Sequence, residues 1–152
     1  MTPEQKLKEL QVELPSPAQP VGAYIPAVRT GKLIFTAGQL PLREGKLLAT
    51  GKVPSDVPVK LAQSCARQAA VNALAAARAL TGSLDAVARI VRLNVFVNSA
   101  AGFVEQAAVA NGASELLLDV FGEEGRHSRC AIGAAELPLN APVELDLVVE
   151  VM

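Results

Sequence analysis

The final segment of the chain has the pattern that most restricts its fold. In VELDLVVEV, residues 143–151, every odd-numbered position is apolar, while Glu144, Asp146 and Glu150 fall on even-numbered positions. Because side chains alternate between the two faces of a strand, the apolar side chains share one face and the acids share the other. The pattern therefore predicts a sheet with one face covered by other elements and one face left open.

Two helical segments are available to cover that sheet. The first follows Ser55 or Asp56 as N-cap and ends at Gly82, and its apolar face is spaced at three or four residues. Alanine dominates this face, so the helix can approach a sheet closely. Its members are Leu61, Cys65, Ala69, Ala73, Ala77 and Leu80. The second helix is predicted from about residue 102 to residue 121, ending at Gly122.

The strand-like segments give the order ββαβαββ. Residues 23–38 predict a hairpin around Thr30-Gly31, residues 86–97 predict a buried strand, and residues 129–137 and 143–151 predict a closing hairpin. Residues 40–54 fit either a small second hairpin or a shaped loop. A strand, a crossover helix and another strand imply parallel neighbours in the middle of the sheet. We therefore predict an α+β fold, with a mixed sheet and two helices packed on one face.

The N-terminus predicts a separate short helix. Thr2 is placed as N-cap, Pro3 at the first helical position and Gln5 at the capping-box position. The helix is expected to reach about Val12, where the Pro-rich PSPAQP (residues 15–20) ends it. The predicted organisation is an appended helix and loop over residues 1–20 and a single domain over residues 21–152.

Composition excludes several classes of partner. The 152-residue chain has a net charge of −1 and a pI near 5.8, so its charge offers no broad basic surface for nucleic acid or an anionic membrane. Only 3% of its residues are aromatic. No apolar run approaches the roughly 20 residues of a membrane span. Cys65 and Cys130 have neither metal-ligand nor disulfide-framework spacing, which predicts reduced thiols in the cytoplasm. No metal or nucleotide cofactor is expected.

Arg129 is the residue that points to a ligand. If the bulky Cys130 and Ile132 face the helices, strand alternation places Arg129 on the open face with Glu144 and Asp146. Three very small residues share its face, namely Ala131, Gly133 and Ala135. A planar guanidinium beside such a hollow suits a carboxylate ligand, in a pocket partly closed by another subunit. The alternatives are solvated surface charges or a structural ion pair of Arg129 with Glu144 or Asp146.

Three segments of the sequence resemble one family. They are VGAYIPAV, LIFTAGQLP and RCAIGAAELPLNAPVELDLVVEV, and the resemblance runs from about Val21 to Val151. The family is the RidA/YjgF (reactive intermediate deaminase) superfamily, earlier described as endoribonuclease L-PSP or translation inhibitor. The resemblance implies a chorismate-mutase-like fold and a homotrimer with a central barrel and a pocket in each cleft between subunits. It also implies hydrolysis of enamine or imine intermediates, such as 2-aminoacrylate, to a 2-keto acid and ammonia without a cofactor.

The resemblance assigns roles to individual residues. Arg129, eight residues before the Leu-Pro pair, matches the arginine that grips the substrate carboxylate, and Glu144 matches the glutamate that orients or activates water. Four further residues are candidates for the substrate-binding pocket: Tyr24, Gly38, Asn111 and Cys130. The simpler interpretation of Tyr24 is half-buried packing, and that of Cys130 is a small packed side chain. His127 is expected on a surface loop rather than in catalysis.

Two departures from the family pattern bear on activity. Ala37 stands where the family commonly has a serine, and Gly133 stands where deaminases often have an acid. These changes leave anion binding intact and favour, as an alternative, a non-catalytic binder of small carboxylates or 2-keto acids. A third possibility is RNA cleavage, which the older family name suggests. The acidic pI and the shortage of aromatic side chains for base stacking argue against it.

Overall fold

The computed structural model describes residues 1–17 and 22–152, in which helices cover one face of a five-stranded sheet. The elements are α1 (Pro3–Glu9), β1 (Ala27–Thr30), β2 (Leu33–Thr36), β3 (Leu42–Arg43), β4 (Lys46–Leu47), α2 (Val59–Thr81), β5 (Val87–Asn98), α3 (Gln106–Phe121), β6 (Ser128–Ala134) and β7 (Val143–Val151). The α+β class, the first hairpin and the small β3–β4 hairpin are confirmed. The strand order across the large sheet is β1-β2-β7-β5-β6.

The predicted closing hairpin of β6 and β7 is wrong. β7 pairs antiparallel with β2 on one side and with β5 on the other, whereas among the described residues β6 pairs only with β5, in parallel. The helix α3 connects β5 to β6, and such a crossover places the second strand beside the first. β5, at 12 residues the longest strand, therefore lies between the two strands that the sequence suggested as partners.

The alternating pattern of β7 is confirmed. All five odd-numbered positions are buried, and the even-numbered ones are half-buried on the other face. The facing side of α2 supplies Cys65, Ala69, Ala73 and Ala77, all fully buried. Leu61 and Leu80 were predicted to share that helix face but are 40% and 44% exposed. Both lie near the ends of α2, where fewer neighbouring elements cover the helix.

The helix ends follow local backbone chemistry. Gly82 and Gly122 have positive φ at the C-terminal ends of α2 and α3, as predicted. α2 begins after Pro58 rather than at Ser55 or Asp56. The Asp56 carboxylate accepts a hydrogen bond from the backbone N–H of Lys52 (2.9 Å), so it closes the preceding turn instead of capping the helix.

The N-terminal helix is part of the fold, so its interpretation as an appendage is wrong. Its capping box is confirmed, with Thr2 Oγ1 accepting from the Gln5 N–H and Gln5 Oε1 from the Thr2 N–H. Leu7 is 3% exposed and belongs to the main hydrophobic core. Glu4 accepts hydrogen bonds from the Leu84 N–H (2.9 Å) and from Arg78 (3.2 Å). The predicted boundary at residues 20 and 21 lies outside the described residues and stays a prediction.

The uncovered face of the sheet carries large apolar side chains. Val28, Phe35 and Ile132 are each between 43% and 50% exposed on this face. Both cysteines are free thiols, Cys65 in the core and Cys130 on the uncovered face. No helix in the described part of the chain is long and apolar enough to cross a membrane. The predicted trimer, which would cover this face, stays a prediction.

Candidate functional site

Arg129 lies on the helix-covered face of the edge strand β6, so its predicted placement among the acids is wrong. In the β5–β6 register Arg129 is opposite the fully buried Leu93, and Cys130 is opposite Asn94 on the uncovered face. Large residues were assigned to the helix side, but the residues of β6 that meet α3 are Arg129, whose guanidinium bonds to it, and Gly133, which lies beside Gln106. The bulky Cys130 and Ile132 therefore face outward.

Gly133, part of the hollow predicted beside Arg129, is exposed but borders two side chains. A Cβ added at Gly133 would lie 3.0 Å from Ser99 Oγ and 3.1 Å from Gln106 Nε2. Ala131 packs against the hydrophobic core. A side chain at this position would require the ends of Ser99 and Gln106 to shift slightly.

The guanidinium of Arg129 is held by neutral oxygens of α3. Nη1 donates to Asn111 Oδ1 (2.8 Å) and Ser114 Oγ (3.1 Å), and Nη2 donates to the Ala107 carbonyl (3.4 Å). The predicted neighbour Asn111 is thus brought to Arg129. The ion pairs within residues 1–17 and 22–152 involve other residues, so Arg129 pairs with neither Glu144 nor Asp146 in the protomer. The guanidinium of Arg129 is therefore held in one orientation while its positive charge has no acidic partner, and both conditions favour binding of an anion.

Ser114 and His127 extend this network. His127 Nδ1 lies 2.7 Å from the Gly125 carbonyl, which only accepts, so Nδ1 carries the hydrogen. In the neutral ring Nε2 is then an acceptor, and the Ser114 hydroxyl donates to it at 2.9 Å. The Ser114 oxygen keeps its lone pairs for Arg129.

These residues adjoin a cavity of about 500 Å³, lined by Ser114, Leu118, Arg126, His127 and Arg129. His127 was expected on a surface loop, but it is half-buried and bonded through both ring nitrogens. The sequence interpretation missed Ser114. The signal that could have found it is its position three residues after Asn111, on the same face of α3.

A second group of predicted residues meets on the uncovered face. Tyr24, Gly38 and Glu144 line one cavity of about 710 Å³, together with Phe35 and Leu139. A Cβ at Gly38 would lie 3.1 Å from both Cδ and Oε1 of Glu144, so the glycine leaves the carboxylate accessible. Within the described residues that carboxylate has no hydrogen-bond or ion-pair partner.

The acidity of Glu144 is altered by its surroundings. Burial raises its pKa above the usual range for a glutamate, and the nearby Asp146 charge raises it further. Asp146 itself accepts a hydrogen bond from Asn94 Nδ2 at 2.8 Å. A carboxylate that is partly desolvated and free of partners can accept a proton from water.

The predicted site residues therefore form two groups on opposite faces of one sheet. Arg129 and Asn111 lie on the covered face, whereas Tyr24, Gly38 and Glu144 share the cavity on the uncovered face. Cys130 lines neither cavity, and its Sγ accepts a hydrogen bond from Arg92 Nη2 at 3.1 Å. Arg129 and Glu144 line two different cavities of the protomer.

Comparison with known proteins identifies the family of the chain. The family model described as "YjgF/chorismate_mutase-like, putative endoribonuclease" matches residues 4–151. The chain belongs to this YjgF family. Membership confirms the predicted superfamily and fold. The match begins at residue 4 rather than near Val21, so it includes α1.

Relatives of the YjgF chain cover nearly all of it. Protein TCP17 of Trypanosoma cruzi is 46% identical over 145 residues, covering 95% of this chain and 91% of that protein. A crystal structure of a protein of unknown function from Agrobacterium tumefaciens is 47% identical with a TM-score of 0.90, covering 99% of this chain and 92% of that one. A 2-iminobutanoate/2-iminopropanoate deaminase of Dermatophagoides farinae is 27% identical over 139 residues, which are 91% of this chain and 93% of that protein.

Glu144→Gln is expected to raise the free energy of unfolding at pH 7. Because the folded state raises the pKa of this carboxyl, the folded protein binds its proton more tightly than the unfolded chain does, and stability falls as pH rises through the folded pKa. The neutral amide removes that cost, and its advantage should disappear in acid, where the carboxyl is protonated in both states. Urea denaturation at pH 7 and at acidic pH measures this, with Glu150→Gln on the same strand as control. A lower stability of Glu144→Gln at pH 7 would contradict the assignment.

Proposed function

We propose that the protein hydrolyses reactive enamine or imine intermediates of the 2-aminoacrylate type to a 2-keto acid and ammonia. The reaction would occur in clefts between the subunits of a homotrimer. The observation that carries this proposal is the separation of Arg129 and Glu144 on opposite faces of one sheet. The two groups can act on one small substrate only if adjacent protomers supply them.

The chemistry requires few groups because the substrate is already reactive. Arg129 binds the substrate carboxylate through its planar fork. The enamine first tautomerises to the imine, and water attacks the imine carbon. Glu144, with its raised pKa, takes a proton from that water and passes it to the nitrogen, which gives the carbinolamine. The same transfer from the carbinolamine hydroxyl to the nitrogen releases ammonia and leaves the 2-keto acid. Gly38 leaves room beside Glu144, and the apolar walls of the cavity favour a substrate with a small apolar side chain.

Two further findings support the proposal. A relative that is 27% identical over most of the chain is named as a deaminase of 2-iminobutanoate and 2-iminopropanoate, which are imines of this type. The exposed apolar residues Val28, Phe35 and Ile132 give the uncovered face a surface that a second protomer can bury. Two free thiols fit a reducing compartment, and we therefore place the protein in the cytoplasm.

A specific observation favours a second candidate function, the non-catalytic binding of small carboxylates. Gly133 supplies no acid at the position where deaminases often have one. Ala37 lines the Glu144 cavity without the hydroxyl of the usual serine. Both departures leave Arg129 and its α3 partners in place. Release of ammonia from a supplied enamine distinguishes the two functions.

The test uses a dehydratase that generates 2-aminoacrylate from serine, with pyruvate formation as the readout. We expect native protein to accelerate pyruvate formation over the dehydratase alone and Arg129→Ala to do so weakly. Arg29→Ala, which removes an exposed guanidinium of β1 that lines neither of the two cavities, is the matched control and should retain the acceleration. If native trimer gives no acceleration yet still binds pyruvate, the non-catalytic function replaces the proposed one.

Ser114→Ala is expected to raise KM about tenfold while leaving kcat within about threefold, because the hydroxyl orients the anchor and does not touch the reacting atoms. Its loss frees Arg129 Nη1 from one of two hydrogen bonds. Steady-state kinetics with generated 2-aminoacrylate measure the split. Glu115→Ala, an exposed neighbour on α3, is the control. A fall in kcat alone would show that Ser114 acts in another way.

A further inference from the structure

A separate cavity lies away from the sheet, between the segment that follows α1, the β3–β4 hairpin and α2. Its volume is about 470 Å³, within the range of small-molecule sites. The residues that define it are Leu10, Val12, Leu14, Arg43, Arg67 and Val71. It shares no lining residue with the cavities of Arg129 and Glu144. The N-terminal segment supplies one of its walls.

Arg43 is fixed in this cavity by a chain of side-chain amides. Asn72 Nδ2 donates to the carbonyls of Leu40 and Leu42, both at 2.9 Å, so Asn72 Oδ1 is free to accept from Gln68 Nε2 at 3.1 Å. Gln68 Oε1 then accepts from Arg43 Nε at 3.2 Å and Nη2 at 3.0 Å. Gln68 and Asn72 are only 9% and 7% exposed. The chain orients the guanidinium without neutralising it, because every partner is neutral.

Arg67 adds a second positive charge to the same cavity. Its guanidinium makes no hydrogen bond or ion pair with any residue in 1–17 or 22–152. Residues 18–21, of sequence AQPV, contain no acid that could pair with it. Glu13 also lines the cavity, so two arginines and one acid leave a net charge of one positive unit. That charge matches a ligand with one negative charge better than a dianion such as a phosphate ester.

The remaining lining is aliphatic. Leu10, Val12 and Leu14 are half-buried against the edge of the core, and Val71 continues the apolar wall on α2. Such side chains can cover a hydrocarbon body while the arginines bind its charged end. We propose that this cavity binds an aliphatic monocarboxylate, with its carboxylate between Arg43 and Arg67 and its chain along the leucines of the N-terminal segment.

Isothermal titration of the full chain with sodium octanoate tests the proposal. We expect saturable binding by native protein and by Arg29→Gln, which alters an exposed arginine of β1. Arg67→Gln and Arg43→Gln should each weaken binding at least tenfold, the change expected for loss of one charge-assisted contact. Neutral 1-octanol should bind at least tenfold more weakly than octanoate. Absence of saturable octanoate binding by native protein, or equal affinity in both arginine variants, would overturn the proposal.

Two controls separate this site from the proposed active site and from loss of folding. Arg129→Ala should bind octanoate as native protein does, and failure to bind would assign the ligand to the sheet site instead. Methyl NMR should show octanoate-dependent shifts at Leu10, Leu14 and Val71 in native protein. Their absence, with shifts at other methyl groups, would contradict the assigned location. Dispersed methyl spectra of the two glutamine variants verify that weakened binding is not caused by unfolding.

Discussion

Gly112→Ala is expected to lower the free energy of unfolding by about 3 kcal/mol, a large value for overpacking. Gly112 lies in α3 where that helix crosses α2, and an added Cβ would lie 2.0 Å from the backbone oxygen of Gln63. The helices are held at this distance by a hydrogen bond from Gln63 Nε2 to the Ala108 carbonyl, at 2.9 Å. Backbone atoms cannot rotate away as a side chain can, so the two helices would have to separate.

The sign of this effect separates packing from helix propensity. Alanine is a better helix former than glycine by about 1 kcal/mol, so propensity alone predicts stabilisation. Urea denaturation of native protein and Gly112→Ala measures the difference. Gly133→Ala is the matched control, because its Cβ would meet only the side-chain ends of Ser99 and Gln106 and should change stability by less than about 1 kcal/mol. A Gly112→Ala protein as stable as native would show that the close helix approach is not required.

Arg129→Ala is expected to lower kcat/KM for 2-aminoacrylate about 100-fold to 1000-fold, which corresponds to the loss of a bidentate charged anchor. The native guanidinium is oriented by Asn111 and Ser114 and has no acidic partner in the described protomer. The guanidinium can therefore form its charge-assisted hydrogen bonds with the substrate carboxylate without first breaking an internal ion pair. Progress curves with the dehydratase-coupled assay measure the loss.

Arg129→Lys distinguishes charge from geometry at this position. Lysine keeps the positive charge but cannot form the planar fork, so we expect kcat/KM of Arg129→Lys to be about tenfold below that of native protein. The free energy of unfolding of both variants should stay close to native, since the side chain is only half-buried. Unchanged kcat/KM in Arg129→Ala would remove the residue from the proposed site.

Much of the fold could be predicted from local sequence patterns. The alternation in β7 predicted which face is buried, because a nine-residue strand with a strict period of two has only one way to bury its apolar side chains. Gly82 and Gly122 marked the helix ends, and Thr30-Gly31 marked the first hairpin. These features depend on neighbouring residues, and they were confirmed.

The errors concern relations between distant segments. Adjacency in sequence suggested that β6 and β7 pair, but the strand inserted between them, β5, comes from more than 30 residues earlier than β6. The face of Arg129 was assigned on the assumption that the bulky Cys130 and Ile132 face the helices. In the edge strand β6 these two side chains face outward instead, and Arg129 faces α3. No pattern within a single segment carries this information.

The sequence motifs suggested residues for the candidate site but not their arrangement in space. Tyr24, Gly38 and Glu144 line one cavity, and Asn111 accepts a hydrogen bond from Arg129, while their roles in a site stay predictions. The division of these residues between two faces depends on the β5–β6 register and the packing of α3, neither of which is visible in the motifs. Because of that division, the proposed function requires two adjacent protomers to contribute residues to each site.

Mixing two variants that each lack one of the two groups tests this central claim most directly. Arg129→Ala and Glu144→Gln would be combined at equal amounts, unfolded and refolded together, and tested for pyruvate formation from 2-aminoacrylate. If each cleft takes Arg129 from one protomer and Glu144 from its neighbour, random assembly restores both native groups in about one quarter of the clefts, so about one quarter of native activity should return. A refolded mixture no more active than either variant alone would contradict the shared site.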